Sequence, residues 1–344
     1  MLHGEETTQT DEFITRNLQS NSARGFKSIS HISSLKMRVG TVKQIWRYAV
    51  KSMSGEQLAD CTVGKQGIPG DRGWALRDET TGEITNAKRF PVLMQCSAKY
   101  LEPPTSEFIP NAEIRFPDGT VVQSDDSDIN KKLSDLLARP VSLWPLQPAS
   151  NLEHYRRKSS AARLIGPLAR YRAVRALLPT ITRFGQANAE LRTTFSREPH
   201  EPIPNVSVLP PEVLEFTSPP GTYFDAFPIH VLTTASLATM ERLNPNAKWD
   251  VRRFRPNFLL DTDATFKSLI ESEWNGQKLR IGSVVLQCDI PAMRCGMTMH
   301  AQEGLAKDPS ILRSIVRDAD QNLGVYAKVA IAGEVRLGDV AELI

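Results

Sequence analysis

Asn275-Gly276-Gln277-Lys278-Leu279-Arg280-Ile281-Gly282-Ser283-Val284-Val285-Leu286-Gln287-Cys288 is the stretch whose pattern decides the fold class. Asn-Gly supplies the two positive φ angles of a type I′ turn, so it signals a hairpin ahead of an apolar strand over Lys278 to Cys288. Further along, Val325 to Ile331 and Val335 to Val340 read as a second hairpin closed through Ala332-Gly333-Glu334. Between them, Asp308-Pro309 marks a helix start, with Ile311, Leu312, Ile315 and Val316 on one face. Upstream, Phe227 to Thr233 suit a strand, and Thr234 is placed to cap a helix carrying Leu237, Met240 and Leu243. Phe258-Leu259-Leu260 form another apolar strand. Many short strands with few helices, and no regular strand–helix alternation, predict a mainly β protein of the α+β class with a barrel core. They do not predict a doubly wound sheet.

The N-terminal half continues the β pattern. Met37, Val39 and Thr41 alternate with polar neighbours, Ile45-Trp46 extend the apolar edge, and Trp74-Ala75-Leu76 read as a strand before the turn at Thr81-Gly82. Glu113 to Val122 look like a hairpin bent at Pro117-Asp118-Gly119. Ile129, Leu133, Leu136 and Leu137 have helical spacing, and Val141 to Leu146 suggest a strand. The character then changes. From Glu153 to Arg192 there are eight arginines and Lys158 against only Glu153 and Glu190, and Leu164, Leu168, Val174, Leu177 and Leu178 fit helices. Prolines 199, 202, 204, 210, 211, 219 and 220 then mark an extended linker. The expected organisation is a disordered polar leader over 1–36, a β-rich domain over 37–148, an Arg-rich helical insert with its Pro-rich linker over 149–222, and a barrel domain over 223–344.

Bulk composition narrows the function classes. The 344 residues are 40% hydrophobic and 24% charged with a net charge of +3, too small to point to nucleic acid. No run of about 18 apolar residues exists to cross a bilayer as a helix. Cys61, Cys96, Cys288 and Cys295 are scattered and form no C-x-x-C pair, so a structural zinc site and an iron–sulfur cluster are not expected. Few, scattered cysteines suit a reducing, cytoplasmic setting; a mitochondrial one stays open for a eukaryotic chain. The leader lacks the apolar core of a secretory signal. Its basic, Ser-rich part from Arg16 to Lys36 leaves a transit peptide open, against which Glu5, Glu6, Asp11 and Glu12 argue.

Three residue groups carry chemistry. Pro291-Ala292-Met293-Arg294-Cys295-Gly296-Met297-Thr298 follows a strand, and an arginine beside a cysteine favours the thiolate that binds soft metals. Arg252-Arg253-Phe254-Arg255-Pro256-Asn257 sets three guanidiniums and an amide beside an apolar strand, a set able to clamp an anion. Lys51-Ser52 and Gly70-Asp71-Arg72-Gly73 suit phosphate contacts at turns, without the spacing of a nucleotide-binding P-loop. Each group alone is also what a small buried cysteine, a solvated charge run or two surface turns would look like.

In order along the chain, Ala49-Val50-Lys51-Ser52, Gly70-Asp71-Arg72-Gly73-Trp74, Phe224-Asp225-Ala226-Phe227-Pro228 with Thr233-Thr234-Ala235-Ser236-Leu237, Arg253-Phe254-Arg255-Pro256-Asn257 and the Arg294-Cys295-x-x-Thr298 motif resemble the MOSC family. Asn322-Leu323-Gly324-Val325-Tyr326-Ala327 and the Gly333 to Asp339 segment fit as well. The resemblance covers roughly 37–148 and 223–344 and leaves the leader and the insert outside. It implies an N-terminal MOSC β domain, a MOSC β-barrel and a molybdenum–molybdopterin cofactor. Cys295 would then be the metal's protein ligand, and Lys51, Ser52, Arg72, Ser236, Arg255, Asn257 and Thr298 would hold the cofactor.

The implied activity is two-electron removal of oxygen from N-hydroxylated small molecules, with His300 as a candidate proton donor. Electrons would then come from a separate reductase or haem or iron–sulfur carrier. The Arg-rich insert could dock such an acidic carrier or an anionic membrane surface. The alternative is a carrier that holds a persulfide on Cys295 and loads molybdenum enzymes. MOSC domains also occur fused to pyridoxal-phosphate desulfurases, but this chain is too short for that domain as well, so pyridoxal phosphate is not expected. Where reductases of the family often read T-x-D after the cysteine motif, Met299 and Ala301 stand here, which makes the metal's surroundings less polar.

Overall fold

The computed structural model describes residues 36–158, 166–263 and 265–344. The leader and the Leu164 part of the insert lie outside these residues. In the N-terminal half the strands are Met37–Arg47 (β1), Glu56–Leu58 (β2), Asp60–Val63 (β3), Trp74–Asp78 (β4), Glu83–Ile84 (β5), Ser97–Tyr100 (β6), Ala112–Arg115 (β7), Val121–Gln123 (β8) and Val141–Pro145 (β9). The C-terminal half adds Ile229–Thr233 (β10), Phe258–Thr262 (β11), Lys278–Ile281 (β12), Val284–Met293 (β13), Asn322–Ile331 (β14), Gly333–Arg336 (β15) and Val340–Leu343 (β16). The helices that matter below are Ile129–Leu137 (α1), Arg172–Ile181 (α2), Gly185–Phe195 (α3), Thr234–Leu243 (α4) and Pro309–Asp318 (α5).

Seven strands close into a barrel in the order β11, β10, β14, β13, β12, β16, β1, with β1 returning to β11. Closure leaves no unpaired edge around the ring. Its apolar filling includes Ile45, Val231, Phe258, Leu279, Leu286 and Val325, all buried. The barrel takes its seventh strand from the start of the described chain: β1 pairs Gly40 with Thr262 on one side and Met37 with Leu343 on the other. Register shifts within β1, at Arg38/Gly40 and Val42/Gln44, break the simple alternation expected there, so Val39 and Val42 are buried while Met37 is exposed. The chain then leaves the barrel for two three-stranded sheets, β5-β4-β9 and β6-β7-β8. Their core of Leu76, Leu93, Met94, Ile114 and Leu133 is sealed by α1.

Local signals set most boundaries. The Pro117-Asp118-Gly119 bend joins β7 to β8, and Asp308 caps α5 by accepting from the Ser310 N–H at 2.9 Å. The α4 cap is Thr233, one residue earlier than the sequence predicts; its side chain accepts from the Ser236 N–H. Two hairpin readings are corrected. Asn275-Gly276 does form a turn, with the Gln277 N–H donating to Trp274 O at 2.9 Å, but the β12–β13 hairpin reverses later, at Gly282-Ser283. Val335 does not pair back on β14, which pairs with β13 along its length and with β10 at Val325 to Ala327. β15 instead pairs with β3, Val335 opposite Cys61, which ties the barrel's last turn to the N-terminal half.

The insert is helical over α2 and α3, as its apolar spacing predicts, but few of its apolar residues reach a core. Leu178 is buried, whereas Leu168, Tyr171, Leu177, Ile181 and Phe184 are exposed. Its arginines work largely within the chain. Arg156 and Arg170 pair with Glu215 at 3.0 and 2.9 Å, and Arg157 and Arg175 donate to carbonyls of the Pro-rich stretch at Val213 and Ser207.

Candidate functional site

β1 ends at Arg47, and the next five residues carry the first side of an open cleft with an inner volume of about 90 Å³. The buried ring of Tyr48 lies under two guanidiniums, with Arg255 4.1 Å and Arg72 4.8 Å from its centre. Its hydroxyl donates to Pro256 O at 3.0 Å. The ring face offers each cation a favourable contact where water is excluded. Two cations on one ring still repel each other. Arg72 is relieved by an ion pair with Asp71, but Arg255 donates only to Met53 O, and burial with the Arg72 charge pushes its pKa down to about 10.

Asn257 and Asp71 hold this side in register. The Asn257 amide donates to Asp71 Oδ2 at 2.9 Å, while its carbonyl oxygen accepts from the His230 N–H at 3.0 Å. The other Asp71 oxygen accepts from the Tyr48 N–H at 2.9 Å. One amide and one carboxylate therefore bridge β10, the residues before β11 and the residues after β1. Strain gathers here too. Seven non-glycine residues among those described have positive φ, and three of them are Ser52 (73°), Arg72 (55°) and Arg255 (55°). Left-handed backbone at non-glycine residues persists only where the surroundings enforce it, and it concentrates at functional sites.

A second cationic group sits at the cleft's other side. Lys51, buried, donates to Asp225 Oδ1 at 2.6 Å, Tyr223 O at 2.6 Å and Ser218 Oγ at 3.3 Å. Lys88 approaches the other Asp225 oxygen at 3.8 Å. Burial works against charge on Asp225, but the two ammonium groups outweigh it and hold the carboxyl far below the usual carboxylate range. The Ser52 Oγ accepts from the Ala87 N–H at 2.9 Å, which leaves its own O–H to donate.

β13 delivers the cysteine. Cys295 follows the strand in extended backbone, and its thiol is partly exposed, whereas Cys61, Cys96 and Cys288 are buried with pKa values pushed up to about 12 by desolvation. Thr298 closes the short turn that follows, its hydroxyl donating to Cys295 O at 3.1 Å. Arg294 donates to Phe254 O at 2.7 Å, and its buried Nε has no partner among the described residues. Tyr326 of β14, stacked on Phe227 at 5.5 Å, and His230 complete the wall. Gly324 lets them meet: at φ +87°, a Cβ there would stand 2.3 Å from His230 Nε2 and 2.6 Å from Val231 O. Burial and the Arg294 charge hold the His230 pKa well below its ordinary value.

The MOSC domain model matches residues 220–342 and the MOSC N-terminal beta barrel domain model matches residues 39–135. The chain belongs to the MOSC domain family. The family is associated with molybdenum-cofactor-binding proteins. A search of the curated proteins finds no match. Among solved structures, the YUAD protein from Bacillus subtilis is 10% identical, with 90% of this chain and 96% of that one covered and a TM-score of 0.38. YiiM from Geobacillus stearothermophilus is 17% identical, with 34% of this chain and 54% of that one covered and a TM-score of 0.27. A hypothetical protein is 15% identical, with 34% and 51% covered and a TM-score of 0.26.

The side chains fit a MOSC cofactor by their chemistry. Lys51, Arg72, Arg253, Arg255 and Arg294 line the cleft against one lining carboxylate, Asp225. Among the described residues, Arg255 and Arg294 have no carboxylate partner and Arg294 leaves a buried N–H unpaired, as a cradle for a dianionic phosphate would. Among the described residues, no group of three His, Cys, Asp or Glu could hold a metal on its own.

Lys51, Ser52, Arg72, Arg255, Asn257 and Cys295 meet in the cleft. Three other sequence candidates lie outside its lining. Ser236 is fully buried and its hydroxyl donates to Glu271; Thr298 faces its own loop; His300 is buried, its pKa lowered by desolvation and Lys307. Arg294, read from sequence as the thiolate's neighbour, lines the cleft, and so do Asp225 and Tyr326, to which the sequence reading gave no role. Each lay inside a quoted motif, but only the fold shows that their side chains turn inward.

Proposed function

We propose that this protein is a molybdenum-cofactor-dependent oxidoreductase that reduces N-hydroxylated small molecules. The observation that carries the reading is one partly exposed thiol, Cys295, in a cleft whose guanidiniums outnumber its carboxylates. Arg255 and Arg294 are the natural phosphate ligands, because burial makes each unpaired cation favour an anion. Arg72 and Lys51 add positive charge from positions fixed by Asp71 and Asp225. Cys295 would complete the metal's ligands.

When bound, such a cofactor supplies two-electron redox chemistry. The net reaction is R–NHOH + 2e⁻ + 2H⁺ → R–NH₂ + H₂O, with the electrons delivered by a separate carrier protein. Within the chain, Tyr326, Phe227 and Met297 form an apolar wall that limits water near Cys295. His230 and His300 are both held neutral near pH 7 by burial, so neither stores the protons. Water entering from the open side does.

The test is turnover of benzamidoxime or N-hydroxycytosine with a reduced viologen dye. Dye oxidation by the wild type, lost in Cys295→Ala, supports the reductase. Absence of turnover together with cyanide-labile sulfur on Cys295 would replace it with a persulfide carrier.

A further inference from the structure

The two matched family regions leave residues 136–219 between them, and the Arg-rich insert lies there. Most of it packs away from the cleft, but its end does not. After α3 the chain turns at Ser196, in left-handed backbone at φ 54°, and the next residue reaches the cysteine loop. Arg197 is buried, and each of its three guanidinium nitrogens donates a hydrogen bond. Nη2 donates to Arg294 O at 2.9 Å, Nε to Gln321 Oε1 at 3.1 Å, and Nη1 to Phe195 O at 2.8 Å. Gln321 closes the circuit, since its backbone oxygen accepts from the Arg294 N–H at 2.9 Å.

Arg294 is the residue immediately before Cys295, so its carbonyl and its amide are both tied. Burial lowers the Arg197 pKa to about 10; among the described residues no carboxylate bonds to it directly, and the nearby Glu201 charge opposes the shift. A buried cation is costly unless each hydrogen bond is made, which makes this arrangement sensitive to a change at any partner. The contact continues one residue on. A Cβ on Gly296 would stand 2.2 Å from Ser196 Oγ, so the insert sits directly against the backbone after the thiol. Phe195, which has Lys88 5.9 Å and Arg197 5.8 Å from its ring centre, faces the same region as Asp225 through Lys88.

We propose that Arg197 is the positioning residue of the Cys295 loop, and that the Phe195–Arg197 end of the insert is a working part of the site. The inference rests on the reading of Cys295 as the site's ligand. The insert holds the thiol's approach by gripping the peptide before it and seating against the peptide after it. Two regions distant in sequence thereby hold one loop, and one of them lies outside the matched domains.

The test is amide hydrogen exchange on the full chain in wild type, Arg197→Ala, Arg197→Lys and Gly296→Ala, with bound molybdenum measured on the same samples. Loss of the guanidinium's bonds should speed exchange at residues 294–298 by about tenfold or more, with the barrel strands unchanged. Gly296→Ala should do the same by displacing Ser196. Wild-type protection at 294–298 in Arg197→Ala, or acceleration spread evenly over β10 to β14, would overturn the proposal. Should Arg197→Ala fail to fold, Arg197→Lys decides: loop-confined acceleration supports the role, and unchanged protection refutes it. Exchange does not depend on cofactor identity. A loosened loop in a protein that never carries molybdenum would sink the cofactor reading and leave the positioning role standing.

Discussion

The barrel and the Arg-rich insert are built on opposite terms. In the barrel, Phe258, Ile45, Val231 and Leu279 are fully buried in a closed ring, and every strand has two neighbours. In the insert, five large apolar residues between Leu168 and Phe184 are exposed, and the helices are held mainly by arginines bonded to Glu215 and to carbonyls of the Pro-rich stretch. The barrel therefore carries the stability and sets the angles of Arg255, Asn257 and Cys295, while the insert reaches the cysteine loop through Phe195 to Arg197. A scaffold that must hold strained residues at Ser52, Arg72 and Arg255 needs a core that can absorb the cost.

The comparison breaks most visibly at the barrel. Phe258→Ala should cost about 3–5 kcal/mol in urea unfolding, because it removes a fully buried ring from a closed core. A loss below 1 kcal/mol would mean that the core is not where the stability lies. Arg255→Ala comes next. It removes a buried, charge-assisted donor from the cleft and should lower molybdenum retention roughly tenfold or more, read as metal per chain after gel filtration. Unchanged retention would show that Arg255 serves Tyr48 and Met53 O alone.

Acid pH gives a smaller effect with a definite sign. Burial depresses the His230 pKa in the folded state, so the unfolded chain takes up this proton first as pH falls below about 6.5. The stability that neutral His230 provides is complete above that pH and is lost below it, at about 1.4 kcal/mol per pH unit. Unfolding at pH 7.5 and 5.5 should show this loss shrinking by that order in His230→Gln. An equal loss in both proteins would place the acid sensitivity elsewhere. Leu177→Ala, on the exposed face of the insert, should change stability by no more than about 0.5 kcal/mol. A larger loss would mean that the insert's outer face is covered.

Much of the fold was legible because its signals are local. The apolar run of β4, the Asp118-Gly119 bend and the Asp308-Pro309 helix start depend on a few adjacent residues. The misread pieces are those where partners are far apart. Val335 had an apolar neighbour in sequence, but it pairs with β3, and nothing local announces that distant partner. The site followed the same rule. Cys295, Arg255 and Lys51 could be named from motifs, whereas Ser236 turned out to face Glu271 and His300 to lie buried outside the lining, because a motif gives position along the chain and not the direction of a side chain. Arg197 had no signal of its own. In a run of eight arginines nothing marks the one beyond its end that reaches Arg294 O.

The most direct measurement is the molybdenum-to-protein ratio of the wild type and Cys295→Ala, both purified from a host that makes molybdopterin. The account predicts a ratio near one for the wild type and a sharp fall in the mutant. A wild type that emerges without molybdenum under those conditions, or a mutant that keeps it in full, would contradict the assignment of this cleft as the cofactor's site.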